Sequence, residues 1–234
     1  MKTKQIVTLF MLLGLAMYSN AQGQVVPGGE NRTDLKLGPS LAAGAATNAG
    51  NVASGWKTAP AFSWAPGGLL DYTFANNLGV QLGIAYDART TNFHLLDNSN
   101  SGFDYNFGYL ALRPQVRFDG FTLGLGIGFP VNVGTSGYGG STVAPIQLSD
   151  LNTLVEARLG GTIELIKSET GTLNFTAEGS YAFYRNIRDA WFQGANVTMN
   201  NGPMASAELG LNYLFDLTPL GTPVPPVAAE SPTR

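Results

Sequence analysis

The single histidine is the first residue of this chain whose chemistry needs to be considered. His94 is followed closely by Asp97, Ser99 and Ser101. A histidine beside a serine and a carboxylate can activate a hydroxyl nucleophile for hydrolysis. These side chains share one polar stretch, and no His-x-Ser spacing is present. We therefore expect no catalytic residue and no enzymatic activity.

The same stretch also bears on metal binding. Asp97-Asn98-Ser99-Asn100-Ser101-Gly102 has a faint likeness to a calcium loop, but it lacks the glutamate that closes such a loop at its twelfth position. Cysteine is absent, which excludes disulfides and thiol chemistry. The net charge of −3 gives no basic footprint for nucleic acid. We expect no metal and no cofactor.

A second group of titratable residues follows an alternating pattern along the chain. Its members all fall on the face opposite to the leucines and phenylalanines: Lys36, Asp71, Asp87, Arg89, Arg113, Arg117, Glu156, Arg158, Glu164, Glu178 and Glu208. Inside a narrow barrel these charges must pair, because an isolated buried charge costs several kcal/mol. We expect an Arg–carboxylate network that plugs the lumen, with Arg113, Arg117 and Arg158 as hubs. A gated ion or proton path is the alternative.

The segment Leu110 to Val133 shows how strands position these charges. Asp119-Gly120 lies between alternating apolar residues, which predicts a two-residue hairpin turn. That turn sets Phe118 opposite Phe121, so one face is apolar, and it sets Arg113 opposite Gly126 on the other face. A long side chain opposite a bare glycine is typical of a cramped interior.

Similar alternation elsewhere predicts eight strands in total. Their connections alternate between long and short, with long polar loops at 91–103, 134–150 and 188–202, and another before Trp56. Pro66-Gly67-Gly68 predicts a bulge or kink in the second strand. The predicted fold class is all-β: an eight-stranded antiparallel up-and-down transmembrane β-barrel with short periplasmic turns and long extracellular loops.

Alternation alone also fits a soluble barrel with its leucines inside. A soluble exterior normally carries many lysines, whereas the polar face here carries only Lys36 among glycine, alanine, serine and threonine. Aromatic residues gather toward both strand ends of the apolar face, as in the two interfacial belts of a membrane barrel. We predict that the apolar face meets lipid.

The composition of the two chain ends predicts segments outside the barrel. Lys2 and Lys4 precede an apolar run from Ile6 to Met17 and a small-residue site at Ser19-Asn20-Ala21, which is the pattern of a secretory signal peptide. The predicted organisation is a signal peptide at 1–21, a flexible lead at 22–32, a barrel at 33–217 and a Pro-rich periplasmic tail at 218–234. The predicted location is the outer membrane of a gram-negative bacterium.

These patterns resemble the small outer-membrane β-barrels of the OmpA/OmpX type. Through the glycine-alternating hairpins and the Ala-Gln at the end of the signal peptide, the chain is still more similar to the PorT-like "outer membrane protein beta-barrel" domain family. The resemblance covers about Thr33 to Leu217. It implies structural, adhesive or secretion-associated roles and no common catalytic residues.

The predicted function is that of a non-catalytic integral outer-membrane barrel with a charge-plugged lumen. Its role is structural or secretion-associated, or it binds through its loops. A narrow pore or transporter is the alternative, followed by a lipid A-modifying enzyme. Predicted partners are outer-membrane lipid, lipopolysaccharide with phosphates at Arg185 and Arg188, and an extracellular or secretion partner at the loops. We expect a monomer.

Overall fold

The computed structural model describes residues 34–50, 52–75, 78–141, 143, 145–189 and 202–217. The predicted signal peptide, flexible lead and Pro-rich tail all lie outside these residues. In the described part of the chain, no helix is long and apolar enough to cross a bilayer.

Eight antiparallel strands form one closed barrel in sequence order, β1-β2-β3-β4-β5-β6-β7-β8, which confirms the predicted fold. The strands are β1 (Asp34–Asn48), β2 (Trp56–Ala75), β3 (Leu78–Leu95), β4 (Gly102–Phe118), β5 (Phe121–Tyr138), β6 (Leu154–Lys167), β7 (Gly171–Arg185) and β8 (Pro203–Asp216). One short 3-10 helix, Leu148–Asp150, lies between β5 and β6. Pairing of β1 with β8 closes the ring.

The hairpin of β4 and β5 has the predicted turn and register. Phe118 pairs with Phe121, and Arg117 pairs with Thr122. Asp119 has a φ of 49° and Gly120 a φ of 84°, the positive angles that a tight two-residue turn of this kind requires. We call this side of the barrel the turn end and the opposite side the loop end.

At the loop end, several strands continue beyond their predicted limits. β3 runs to Leu95, β4 begins at Gly102 and β5 runs to Tyr138, so much of the predicted loops at 91–103 and 134–150 is strand. β1 likewise continues to Asn48. Crossing a bilayer takes roughly 9–11 residues, whereas β2 has 20, β3 has 18 and β5 has 18. These strands therefore extend past the membrane at the loop end.

The predicted bulge at Pro66-Gly67-Gly68 is wrong. The pairing of β1 with β2 is continuous through this segment, with Leu41 opposite Pro66 and Ser40 opposite Gly67. A Cβ at Gly67 would lie 2.2 Å from the Ile84 carbonyl oxygen, so the glycine permits a close approach of β2 to β3. The register shifts of β2 against β3 occur instead between Pro60 and Ser63 and between Thr73 and Ala75.

The interior is arranged in three layers along the barrel axis. Toward the loop end lies a buried apolar layer in which Phe93, Phe103, Tyr105, Phe107 and Tyr109 pack with residues of the loops. The middle layer consists of buried charged residues. Toward the turn end the lumen contains polar side chains around a cavity.

Candidate functional site

The middle layer is built around Arg89, which projects inward from β3 and is 1% exposed. Its guanidinium donates to both oxygens of Asp87, from Nε at 2.9 Å and from Nη2 at 2.6 Å. It also donates to both oxygens of Glu156 on β6, from Nη1 at 2.7 Å and from Nη2 at 2.9 Å. Paired N–H···O contacts of this kind are the strongest that arginine makes.

Arg158 on β6 is the second centre of the layer and is also 1% exposed. It donates to Glu156, to both oxygens of Glu178 at 2.7 and 2.9 Å, and to Glu208 Oε2 at 3.3 Å. One guanidinium therefore compensates carboxylates from β6, β7 and β8. Holding these carboxylates together is what makes their burial possible, because like charges repel in a low dielectric.

Arg113 on β4 closes the network. Its Nη2 donates to Asp87 Oδ2 at 2.8 Å, and its Nη1 lies 3.7 Å from Glu208 Oε2. The ion pairs thus form a ring of alternating sign across the lumen, in the order Asp87, Arg89, Glu156, Arg158, Glu208, Arg113 and back to Asp87. Glu178 is attached to this ring through Arg158. We call these seven residues the charge ring.

Arg117 does not belong to the charge ring, so the prediction that it is a hub is wrong; Arg89 takes that place. Arg117 pairs with Asp71, with 3.1 Å between its Nε and Asp71 Oδ2. It also donates to Thr73 Oγ1 at 2.6 Å. The physical reason is depth: Arg117 lies two residues before the Asp119 turn, and Arg89 lies far along β3 from that end.

The remaining two predicted lumen residues lie at the turn-end mouth. Lys36 Nζ contacts Thr172 Oγ1 at 3.5 Å, and Glu164 is exposed. Both residues line a cavity of about 150 Å³ together with Arg117, Asp71 and Asn174. A second cavity of about 70 Å³ reaches inward to Arg113 and Glu178. The lumen therefore opens at the turn end and stops at the charge ring.

The histidine considered for catalysis stands on the outer face of β3. His94 Nδ1 lies 3.0 Å from Asn92 Oδ1. Burial, and secondly the positive charge of Lys57, lower the pKa of His94 below its usual range. Ser101 Oγ instead donates to the Gly139 carbonyl at 3.0 Å, and Asn98 Nδ2 donates to Ser101 Oγ at 3.0 Å. Among the described contacts, none joins His94 to Asp97, Ser99 or Ser101.

The two arginines predicted to meet lipopolysaccharide phosphates lie at the loop end of β7 and are exposed. Arg185 Nη1 pairs with Asp189 Oδ1 at 2.8 Å. Arg188 Nε donates to the Leu151 carbonyl oxygen at 3.1 Å. Both guanidiniums thus have contacts within the protein, and these contacts compete with any phosphate.

The outer surface of the barrel is apolar over a continuous band. Phe62 is 65% exposed, Leu123 64% and Phe118 61%, and exposed leucines and phenylalanines occur on the other strands as well. Monomeric soluble proteins rarely expose apolar patches beyond a few hundred Å². A closed barrel satisfies its backbone hydrogen bonds internally, as lipid requires. The barrel spans a membrane.

Comparison with known proteins finds solved structures of similar fold but no matching protein family. No family model matches the chain, and no curated protein matches it. Neisserial surface protein A is 8% identical with a TM-score of 0.36, and the match covers 76% of this chain and 96% of that one. Ail of Yersinia pestis is 12% identical with a TM-score of 0.32, over 78% and 97%. OprG of Pseudomonas aeruginosa is 12% identical with a TM-score of 0.29, over 79% and 92%.

Sequence reasoning missed the apolar layer that closes the loop end. Phe103, Tyr105, Phe107 and Tyr109 are all buried and face inward from β4. Loop residues Ile146, Leu151 and Ile187 cover them. The signal was present as aromatic residues at every second position, a strand period. The residues between them, such as Asp104 and Asn106, are polar, so the segment has the composition of a loop.

Proposed function

We propose that this protein is a non-catalytic, non-conducting barrel of the gram-negative outer membrane that acts through its extracellular surface. The observation that carries the proposal is the closed charge ring beneath a packed apolar layer. An ion that entered from the turn end would have to break buried Arg–carboxylate pairs and then cross a core of aromatic side chains. Both steps are costly, because charges leave water for a low-dielectric interior.

The extracellular surface is the part of the molecule left to bind a partner. β5 pairs with β6 only from Phe121 to Gly128, whereas its pairing with β4 continues to Tyr138. Within the described residues, the loop-end half of β5 therefore has a strand partner on one side only. Such an edge, with the loops beside it, suits the structural, adhesive or secretion-associated roles that a PorT-like barrel implies.

Conductance in planar bilayers tests the closed lumen. We expect the purified full chain, inserted at increasing amounts, to give no stable openings at moderate voltage. A variant that weakens the charge ring but keeps the apolar layer, Arg113→Met, should also stay silent. Reproducible unitary openings of the unmodified protein would support the pore alternative and end the proposal.

Lipid analysis tests the absence of catalysis. Cells expressing the protein and cells expressing His94→Ala should give the same lipid A mass profile, and that profile should match cells without the protein. Ser101→Ala serves as a second variant, since Ser101 would be the nucleophile partner. A mass change that depends on His94 would establish the enzyme alternative.

A further inference from the structure

Above the apolar band, the outer face formed by the extended ends of β3, β4 and β5 becomes polar. Pairing aligns these residues in level rows: Ala88 with Gly108 and Asn132, then Thr90 with Asn106 and Gly134, then Asn92 with Asp104 and Ser136, and finally His94 with Gly102 and Tyr138. We call the polar members of these rows the polar ladder: Thr90, Asn92, His94, Asp104, Asn106, Asn132, Ser136 and Tyr138. On the inner side of the same strands, the aromatic residues Phe93, Phe103, Tyr105 and Phe107 pack in the apolar layer.

A bulge in β5 brings that strand into the polar ladder. Tyr109 pairs with Pro130 and Gly108 pairs with Asn132, so Val131 is an additional residue. Val131 and Asn132 consequently both face outward and are exposed. Beyond the bulge the even-numbered residues of β5 face outward, and Val133 packs against the apolar layer.

The polar ladder is organised by hydrogen bonds before any ligand arrives. Thr90 Oγ1 donates to Asn106 Oδ1 at 2.8 Å. Asn92 Nδ2 donates to Asp104 Oδ1 at 2.7 Å and to the Tyr138 hydroxyl at 2.9 Å. None of the described hydrogen bonds uses the amide nitrogen of Asn106 or the second oxygen of Asp104. Fixed donors and acceptors therefore remain available on the outer side.

Two tyrosine rings lie along this face. The Tyr138 hydroxyl is 2.6 Å from the point where a Cβ of Gly102 would stand, and the Tyr86 hydroxyl is 2.5 Å from the corresponding point at Gly108. A ring whose tip touches the neighbouring strand is laid across the sheet rather than directed away from it. One ring borders the upper rows and the other borders the lower rows. Each offers an apolar surface with a hydroxyl at its end.

This combination fits a saccharide better than a phosphate. Sugar hydroxyl groups donate and accept hydrogen bonds in close succession, as amides and carboxylates do, and the C–H faces of a sugar ring pack on aromatic rings. Phosphate recognition would instead need clustered arginine or lysine. Among the described residues of this face, the charged side chains are Asp104 and, at the upper edge, Lys57.

The position of the polar ladder relative to the membrane indicates which class of saccharide can reach it. The lower rows begin where the apolar band ends, beside Trp64 and Tyr86, whose ring centroids are 6.0 Å apart. Aromatic residues of this kind mark the membrane–water interface. The polar ladder lies on the outer wall of the barrel just above the apolar band, so its neighbours in a membrane are lipid headgroups. We propose that the polar ladder binds the sugar headgroup of an outer-leaflet glycolipid, an inference that rests on the proposed outer-membrane location.

The test compares two glycolipid probes on the full chain in lipid nanodiscs. One probe is lipopolysaccharide with a complete core oligosaccharide, and the other is deep-rough lipopolysaccharide that lacks the outer core sugars. We expect the first to bind at least about tenfold more tightly, which corresponds to one or two net hydrogen bonds. Equal binding of the two probes would overturn the proposal, since lipid A alone would then account for it.

Two variants make the test specific. The triple variant Asn106→Ala, Asn132→Ala and Ser136→Ala removes three exposed side chains and should abolish the preference for core sugars. Thr47→Ala, near the same end of the barrel on β1 and outside the polar ladder, should keep it. Heat-dependent electrophoretic mobility reports that each variant is folded. A folded triple variant with an intact preference would also overturn the proposal. Conductance is a separate readout, so failure of the closed-lumen proposal is distinguishable from failure of this one.

Discussion

At the scale of single residues, Arg158 forms ion pairs with three carboxylates, more than any other described cation. It compensates Glu156, Glu178 and Glu208 at once while being almost completely buried. Arg158→Met fills much of the same volume but leaves these carboxylates short of a partner. Removing one member of a buried pair costs about 3–5 kcal/mol, so we expect a loss of that order in the free energy of unfolding, measured by urea titration in lipid vesicles.

Arg117→Met is the matched control for this prediction. It removes the same type of side chain, but Arg117 is 19% exposed and pairs with Asp71 beside the open mouth of the lumen. The Asp71 carboxylate that remains keeps the hydrogen bond from Gln81 Nε2 and lines the turn-end cavity, so the expected loss is only about 1–2 kcal/mol. Equal losses for the two variants would mean that the charge ring is not a distinct buried unit.

The carboxylates should also differ according to their place in the charge ring. Glu156 joins Arg89 to Arg158, whereas the described ion pair of Glu178 is with Arg158, beside a hydrogen bond from Gln115. Glu156→Gln breaks the ring and weakens ion pairs with two guanidiniums, those of Arg89 and Arg158. Glu178→Gln keeps the ring closed and weakens the ion pair with Arg158 only. We expect Glu156→Gln to lower the urea midpoint by about twice as much as Glu178→Gln. The opposite order would contradict the ring arrangement.

At the scale of elements, the bulge in β5 can be tested by two deletions. Val131 is the extra residue between Pro130 and Asn132, so its deletion should give a regular ladder with every pair above it unchanged. Deletion of Val133 also leaves two residues between Pro130 and Gly134, but it places Asn132 in the inward position that Val133 occupies against the apolar layer. We expect the Val131 deletion to fold with near-native stability and the Val133 deletion to lower the free energy of unfolding by about 1–3 kcal/mol, because it buries an amide. Equal stability of the two deletion variants would show that the assigned register is wrong.

The same strand shows how far sequence alone predicts this fold. From Phe121 to Phe129 strict alternation holds, and Asp119-Gly120 fixes the register, so the hairpin and the inward arginines follow from the pattern. At Val131 the bulge reverses the alternation. Pro130 directly precedes it and is a residue that bulges tolerate, but Pro66 lies in a continuous pairing, so a strand proline alone does not predict a bulge. The strand ends were missed for a related reason: beyond the membrane the outer residues turn polar, and a half-polar strand resembles a loop in composition.

The charge ring illustrates what pairing rules cannot provide. Alternation identifies which charges point inward, and near-balance of their signs indicates that they pair. Which arginine meets which carboxylate depends on how high each lies in the barrel, and this height is set by strand stagger around the closed sheet. Arg89 and Arg117 both face inward, yet one is enclosed at mid-height and the other lies at the mouth.

At the scale of the whole molecule, the membrane assignment depends on the apolar face meeting lipid. This orientation can be tested by placing arginine on the outer face at two different depths in the bilayer. Leu125 lies midway along the apolar band on β5 and is 44% exposed. Asn132, on the same strand, is exposed above that band. Arginine on the lipid face costs about 2–4 kcal/mol at the bilayer midplane and about 0–1 kcal/mol near the interface. We therefore expect Leu125→Arg to lower the free energy of unfolding in vesicles by the larger amount and Asn132→Arg to leave it nearly unchanged. In a barrel surrounded by water both substitutions would be harmless, so equal stability of the two variants would refute the membrane orientation.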